Sequence, residues 1–143
     1  MDKQKATRHI VIGLKAAIIA TFPEDENLIT PSADVPFTDE SEKLLVRAAS
    51  AFYDMIPADL MPLMEGMGSM SGGAAFISVG IDFWLTCSGS GVSFVDRREL
   101  DAYEGINQFD EEIRKKFAKF EHAEVWYDVT NEEMNFSIYQ PNF

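Results

Sequence analysis

From Phe76 to Cys87 apolar side chains recur at every second position. Ile77, Val79, Ile81, Phe83, Leu85 and Cys87 alternate with Ser78, Gly80, Asp82, Trp84 and Thr86. A period of two is the repeat of a strand with one buried face. Ser88-Gly89-Ser90-Gly91 follows with glycines able to take positive φ, and Val92, Phe94 and Val95 resume a β-prone run. The stretch therefore predicts a β-hairpin. Its odd-numbered face offers on the order of 10 kcal/mol of gross stabilisation if another layer covers it.

Two amphipathic segments can supply that cover. In residues 3–22 Ile10, Leu14, Ile18 and Phe22 repeat every four positions, which predicts a helix closed by Pro23. Gly13 inside it costs about 1 kcal/mol relative to alanine, a cost that close packing on a neighbour explains. Leu45, Ala48, Phe52 and Met55 form a second stripe, started by Thr38 or Asp39 and stopped by Pro57.

A second alternation runs through Glu124–Val129, with Val125, Tyr127 and Val129 inward and Trp126 and Asp128 outward. Met134, Phe136 and Ile138 repeat it beyond a turn at Thr130–Glu133. Before it, Ile113, Phe117 and Phe120 line one side of a helix predicted over Asp110–Phe120. The order α-α-β-β-α-β-β predicts one α+β domain over residues 1–143: a four-stranded antiparallel sheet of two hairpins, with helices mainly on one face. An acidic, proline-containing loop at 23–38 and a Met/Gly-rich connector at 56–73 interrupt this pattern.

The formal net charge of −12 narrows the partners. Lys3, Lys5, Arg8 and Lys15 gather near the start, whereas residues 23–42 hold seven acids, Glu24, Asp25 and Glu26 among them, and no base. Direct nucleic-acid binding is disfavoured, because duplex affinity comes largely from Lys and Arg displacing counterions. Acidity alone serves solubility; it also suits a basic protein surface that the carboxylates occupy in place of phosphates. The single cysteine, Cys87, excludes an internal disulfide framework and fits a reducing, cytoplasmic setting. Lys15 interrupts the apolar run Ile10–Phe22, which is too short to span a bilayer, so it reads as a structural helix and no membrane association is expected.

Motifs for catalysis or metal binding are incomplete. Gly66, Gly68, Gly72 and Gly73 precede the alternating stretch and lack the Gly-Lys-Ser/Thr of a phosphate loop. Ser90 lies in a turn without the spacing of a nucleophile elbow. His122-Ala123-Glu124 matches the H-x-E fragment of zinc deaminases, but one cysteine cannot complete that ligand set. Met61, Met64, Met67 and Met70, three apart, could hold Cu(I); with no His or Cys among them they suit adaptable packing. No cofactor or metal is expected.

The remaining constellation is an outward sheet face carrying Asp82, Trp84, Glu124, Trp126, Asp128, Asn135 and Tyr139. Trp and Tyr are enriched at interface hot spots. With the acidic loop, this face predicts a non-enzymatic protein that inhibits or masks a basic, nucleic-acid-handling partner. Such a protein would be a toxin immunity protein or a phage-type anti-defence (anti-CRISPR-like) inhibitor. Two alternatives stand beside it: a small-molecule-binding protein or enzyme with a pocket lined by Trp84, Tyr127, the methionines and an acid, and a homodimer or larger structural oligomer joined by the aromatic face.

Overall fold

The computed structural model describes residues 2–23, 31–67, 74–139 and 143. Five helices carry these residues: α1 (Lys3–Ala20), α2 (Asp39–Met55), α3 (Met61–Glu65), α4 (Ala75–Cys87) and α5 (Ile106–Lys116). A hairpin of β1 (Glu124–Asp128) and β2 (Glu133–Ser137) follows. The expected four-stranded sheet is not present: its first hairpin is α4, followed by short 3-10 turns at Phe94–Asp96 and Arg98–Leu100, and the two-stranded hairpin is the only sheet among the described residues.

The physical reason lies in how α4 is buried. Ser78, Gly80, Asp82, Trp84 and Thr86 are as buried as Val79, Phe83 and Cys87, while the half-buried positions Ile77, Ile81 and Leu85 fall four apart. That is the outer stripe of a helix, not one face of a strand. A helix enclosed on nearly all sides needs no polar stripe, so its residue pattern is free to mimic another period.

α1 lies across α4 in the most extensive helix pairing of the molecule. At the crossing, a Cβ on Gly13 would fall 2.1 Å from the Ile77 carbonyl oxygen, and one on Gly80 would fall 2.2 Å from that of Ile10. The backbones touch because neither residue has a side chain. Around α4 an aromatic core assembles, with Phe52 stacked on Phe83 at 4.3 Å and Phe83 edge-on to Phe117 at 4.7 Å.

α1 and α2 keep the apolar stripes read from the sequence, with Ile10, Leu14 and Ile18 buried in one and Leu45, Ala48 and Phe52 in the other. Of the two residues expected to start α2, Thr38 is the cap: its hydroxyl accepts the Ser41 N–H, and Asp39 is the first helical residue. α5 starts at Ile106 instead of Asp110 and ends at Lys116; a 3-10 turn over Ala118–His122 then carries the buried Phe120. Its last turn holds Arg114, Lys115 and Lys116, where the helix dipole favours cations. Within the 56–73 connector, Met64 and Met67 are fully buried as core packing, while Met70 lies outside the described residues.

Candidate partner-binding face

The β1–β2 hairpin follows the alternation of its sequence. It pairs Glu124 with Ser137, Val125 with Phe136, Trp126 with Asn135, Tyr127 with Met134 and Asp128 with Glu133. Met134 and Phe136 are buried, and Phe136 meets Trp84 and Phe120 edge-on. Directly paired residues share a face of the sheet, so Glu124, Trp126, Asp128, Glu133, Asn135 and Ser137 point the other way. Trp126 is 46% exposed there and Tyr139, beyond the end of β2, is 82% exposed. Every charged side chain on this strand face is an acid.

The turn between the strands is built from one of these acids. Asp128 accepts the Thr130 and Asn131 N–H groups at 3.0 and 3.1 Å and the Asn131 side-chain amide at 2.8 Å. The Asn131 backbone bond first, then its side chain, hold the Asp128 carboxyl below the usual carboxylate range, so it stays ionised. Glu132 takes the positive φ that closes the turn. Val129, expected inward, is instead 49% exposed at the turn.

Asp82 and Trp84 do not join this face. Both belong to α4 and both are buried, because the segment is a helix and its even-numbered side chains turn into the core. The Trp84 indole N–H donates to the Thr21 hydroxyl at 2.9 Å, and its ring packs 5.6 Å from Phe120. Asp82, 1% exposed, takes a two-pronged ion pair from Arg97, with Nε–Oδ2 and Nη2–Oδ1 both 2.5 Å. Burial pushes its carboxyl upward and Arg97 pulls it part of the way back. This pair ties the turn after α4 to the core. The expected face with two tryptophans is therefore reduced to one, and Glu24, Asp25 and Glu26 lie outside the described residues.

Glu133 is the acid that sequence reasoning missed on this face. The signal was available, since closing the hairpin around Asp128–Asn131 sets Glu133 beside Asp128.

Among the described residues, the hairpin has one occupied and one open edge. Along β2, Met134 N–H donates to the Pro36 carbonyl at 2.9 Å, and the Met134 carbonyl accepts from Thr38 N–H at 3.0 Å. Phe136 N–H donates to the Ser41 hydroxyl at 2.8 Å, and that hydroxyl donates to the Phe136 carbonyl at 3.3 Å. Met134 and Phe136 thus direct their main-chain groups away from β1. Antiparallel pairing alternates these directions, so Val125 and Tyr127 direct theirs away from β2. Among the described residues nothing pairs with that side of β1.

Other depressions divide the residues expected in a ligand pocket. Trp84 borders a hollow of about 420 Å³ with Thr21, Phe120 and Glu121, whereas Tyr127 borders another, about 400 Å³, with Asp34 and Glu132. A groove of about 740 Å³ between α1 and α2 has Val11, Ile12 and Val46 in its lining and Lys15 paired to Glu42 across it at 2.6 Å. Among the described residues no three His, Cys, Asp or Glu side chains are grouped to hold a metal, and no helix is long and apolar enough to cross a membrane. Cys87 is buried, its Sγ 3.7 Å from the Ile113 carbonyl, and burial pushes its thiol far upward, away from reactivity. No protein-family model, curated protein or solved structure matches the chain.

Proposed function

We propose that this chain is a non-enzymatic binding protein that masks a basic protein partner, with the outward face of the β1–β2 hairpin as its contact surface. The observation that carries this reading is the half-exposed Trp126 set among Glu124, Asp128 and Glu133, the charged residues of the two strands on that face and all of them acids. An indole in that position supplies contact area that can be desolvated, and the surrounding carboxylates steer a cationic surface toward it. The net charge of −12 extends the same steering beyond the face. A partner that normally holds nucleic acid has the required surface, because its cations already accept phosphate charge. Toxin immunity and phage-type inhibition of a nucleic-acid-guided defence complex are the two settings that need such masking.

The test is affinity capture at low salt from cells that carry the gene, with the retained protein identified and compared across variants. Wild type is expected to retain a strongly basic protein that Trp126→Ala and the Glu124→Lys/Glu133→Lys double variant lose. Retention that ignores all three substitutions, or no basic protein retained, contradicts the proposal.

A further inference from the structure

We infer that the partner segment binds as an added β-strand along the edge of β1 that no described residue pairs, and that it carries two basic residues four positions apart. This rests on the proposed masking of a basic partner and specifies how the contact is made. The N–H and C=O groups of Val125 and Tyr127 face out of the hairpin, as fixed by the bonds that Met134 and Phe136 make on the opposite side. Four main-chain groups in a row, two donors and two acceptors, form a template for an extended chain. Natural edges are commonly blunted by charged side chains, proline or a bulge; Glu124–Asp128 contains no Pro and keeps regular pairing throughout, and its only charges are the two acids at its ends, which repel an acidic strand and admit a basic one.

Charge selects the occupant. Within the five residues of β1, the antiparallel self-pairing that uses all four groups is centred on Trp126. It would set Glu124 of each copy directly against Asp128 of the other, and like charges opposite each other in a ladder are unfavourable. A second copy is thereby disfavoured. An incoming strand with cations opposite Glu124 and Asp128 meets complementary charge at both ends. Between them, the residue opposite Trp126 lies over or beside an exposed indole, where an arginine is favoured by cation–π attraction.

The probe is the blocked heptapeptide Val-Lys-Val-Arg-Val-Lys-Val, titrated into the full chain by NMR, beside the same peptide N-methylated at the two valines flanking arginine. Methylation removes the donors that face β1 and leaves every charge in place. The unmodified peptide is expected to slow hydrogen exchange of the Val125 and Tyr127 amides at least tenfold, and the methylated peptide to bind at least tenfold more weakly. Equal binding of the two peptides, abolished by Glu124→Lys/Glu133→Lys, overturns strand addition and leaves the acidic-face reading intact. Binding of neither peptide overturns the inference, as does a dimer in sedimentation that the peptide dissociates, which would make a second copy the occupant. Val125→Pro, which removes an outward N–H without touching the ladder to β2, is expected to weaken the unmodified peptide at least tenfold while circular dichroism stays unchanged.

Discussion

The Ser41 hydroxyl and the Phe136 main chain are bonded in both directions: the hydroxyl accepts the Phe136 N–H at 2.8 Å and reaches its carbonyl at 3.3 Å. This contact fastens the first turn of α2 to the last strand, and it decides which edge of the hairpin is occupied. Ser41→Ala leaves two buried main-chain groups without a partner, at a cost of about 1 to 3 kcal/mol. Urea unfolding of the variant is expected to show a loss in that range. Stability equal to wild type would mean that water or another group already serves Phe136.

The α1–α4 crossing depends on the absence of two side chains. Gly13→Ala and Gly80→Ala each drive a methyl into the backbone of the facing helix, which cannot move aside as a flexible side chain can. The expected loss is about 3 kcal/mol for each, or failure to fold. An alanine variant within about 0.5 kcal/mol of wild type, a margin typical of neutral surface changes, would show that the helices cross elsewhere.

Arg97 neutralises a carboxylate that is almost fully enclosed. Arg97→Ala is expected to cost about 3 kcal/mol, because the Asp82 charge is left buried and unpaired. Asp82→Leu combined with Arg97→Leu is expected to recover much of that loss. Since burial raises the Asp82 carboxyl in the folded state, stability that it contributes when protonated is lost as pH rises through that raised value. The Arg97→Ala chain, lacking the guanidinium, is therefore expected to gain stability on mild acidification more steeply than wild type. Equal pH slopes for the two chains would contradict this arrangement.

Asp128 titrates in the opposite sense. Its folded carboxyl is held below the ordinary value of 3.8, so its contribution to the turn is present above that value and lost as pH falls through the depressed one. The Asn131 amide shift is expected to report a midpoint below 3.8. A midpoint at or above the ordinary value would mean that the turn bonds are not formed.

How much of this was legible depended on whether each element keeps a wet face. α1, α2 and the hairpin each expose one side, so Ile10–Leu14–Ile18, Leu45–Ala48–Phe52 and Val125–Tyr127 announced their periods correctly. α4 exposes little beyond the edges of Ile77, Ile81 and Leu85, and its alternating residues therefore carried no information about the period. Length was the signal that outweighed alternation: a 13-residue apolar segment is long for a strand, where about 5 or 6 residues is typical. The outward position of Trp126, Asp128 and Asn135 followed from local alternation. The open edge beside Val125 and Tyr127 did not, because it is set by Pro36, Thr38 and Ser41, far away in the chain.

The two tryptophans have opposite fates, Trp84 buried and Trp126 half-exposed, and their fluorescence separates them. Trp126→Phe leaves Trp84 as the emitter, which is expected to emit at short wavelength and resist acrylamide, since that indole is 5% exposed. Trp84→Phe leaves Trp126, expected to emit at long wavelength and to be quenched several-fold more efficiently. Equal quenching of the two variants, or the reverse order, would contradict both the helical placement of Trp84 and the exposed acidic face around Trp126.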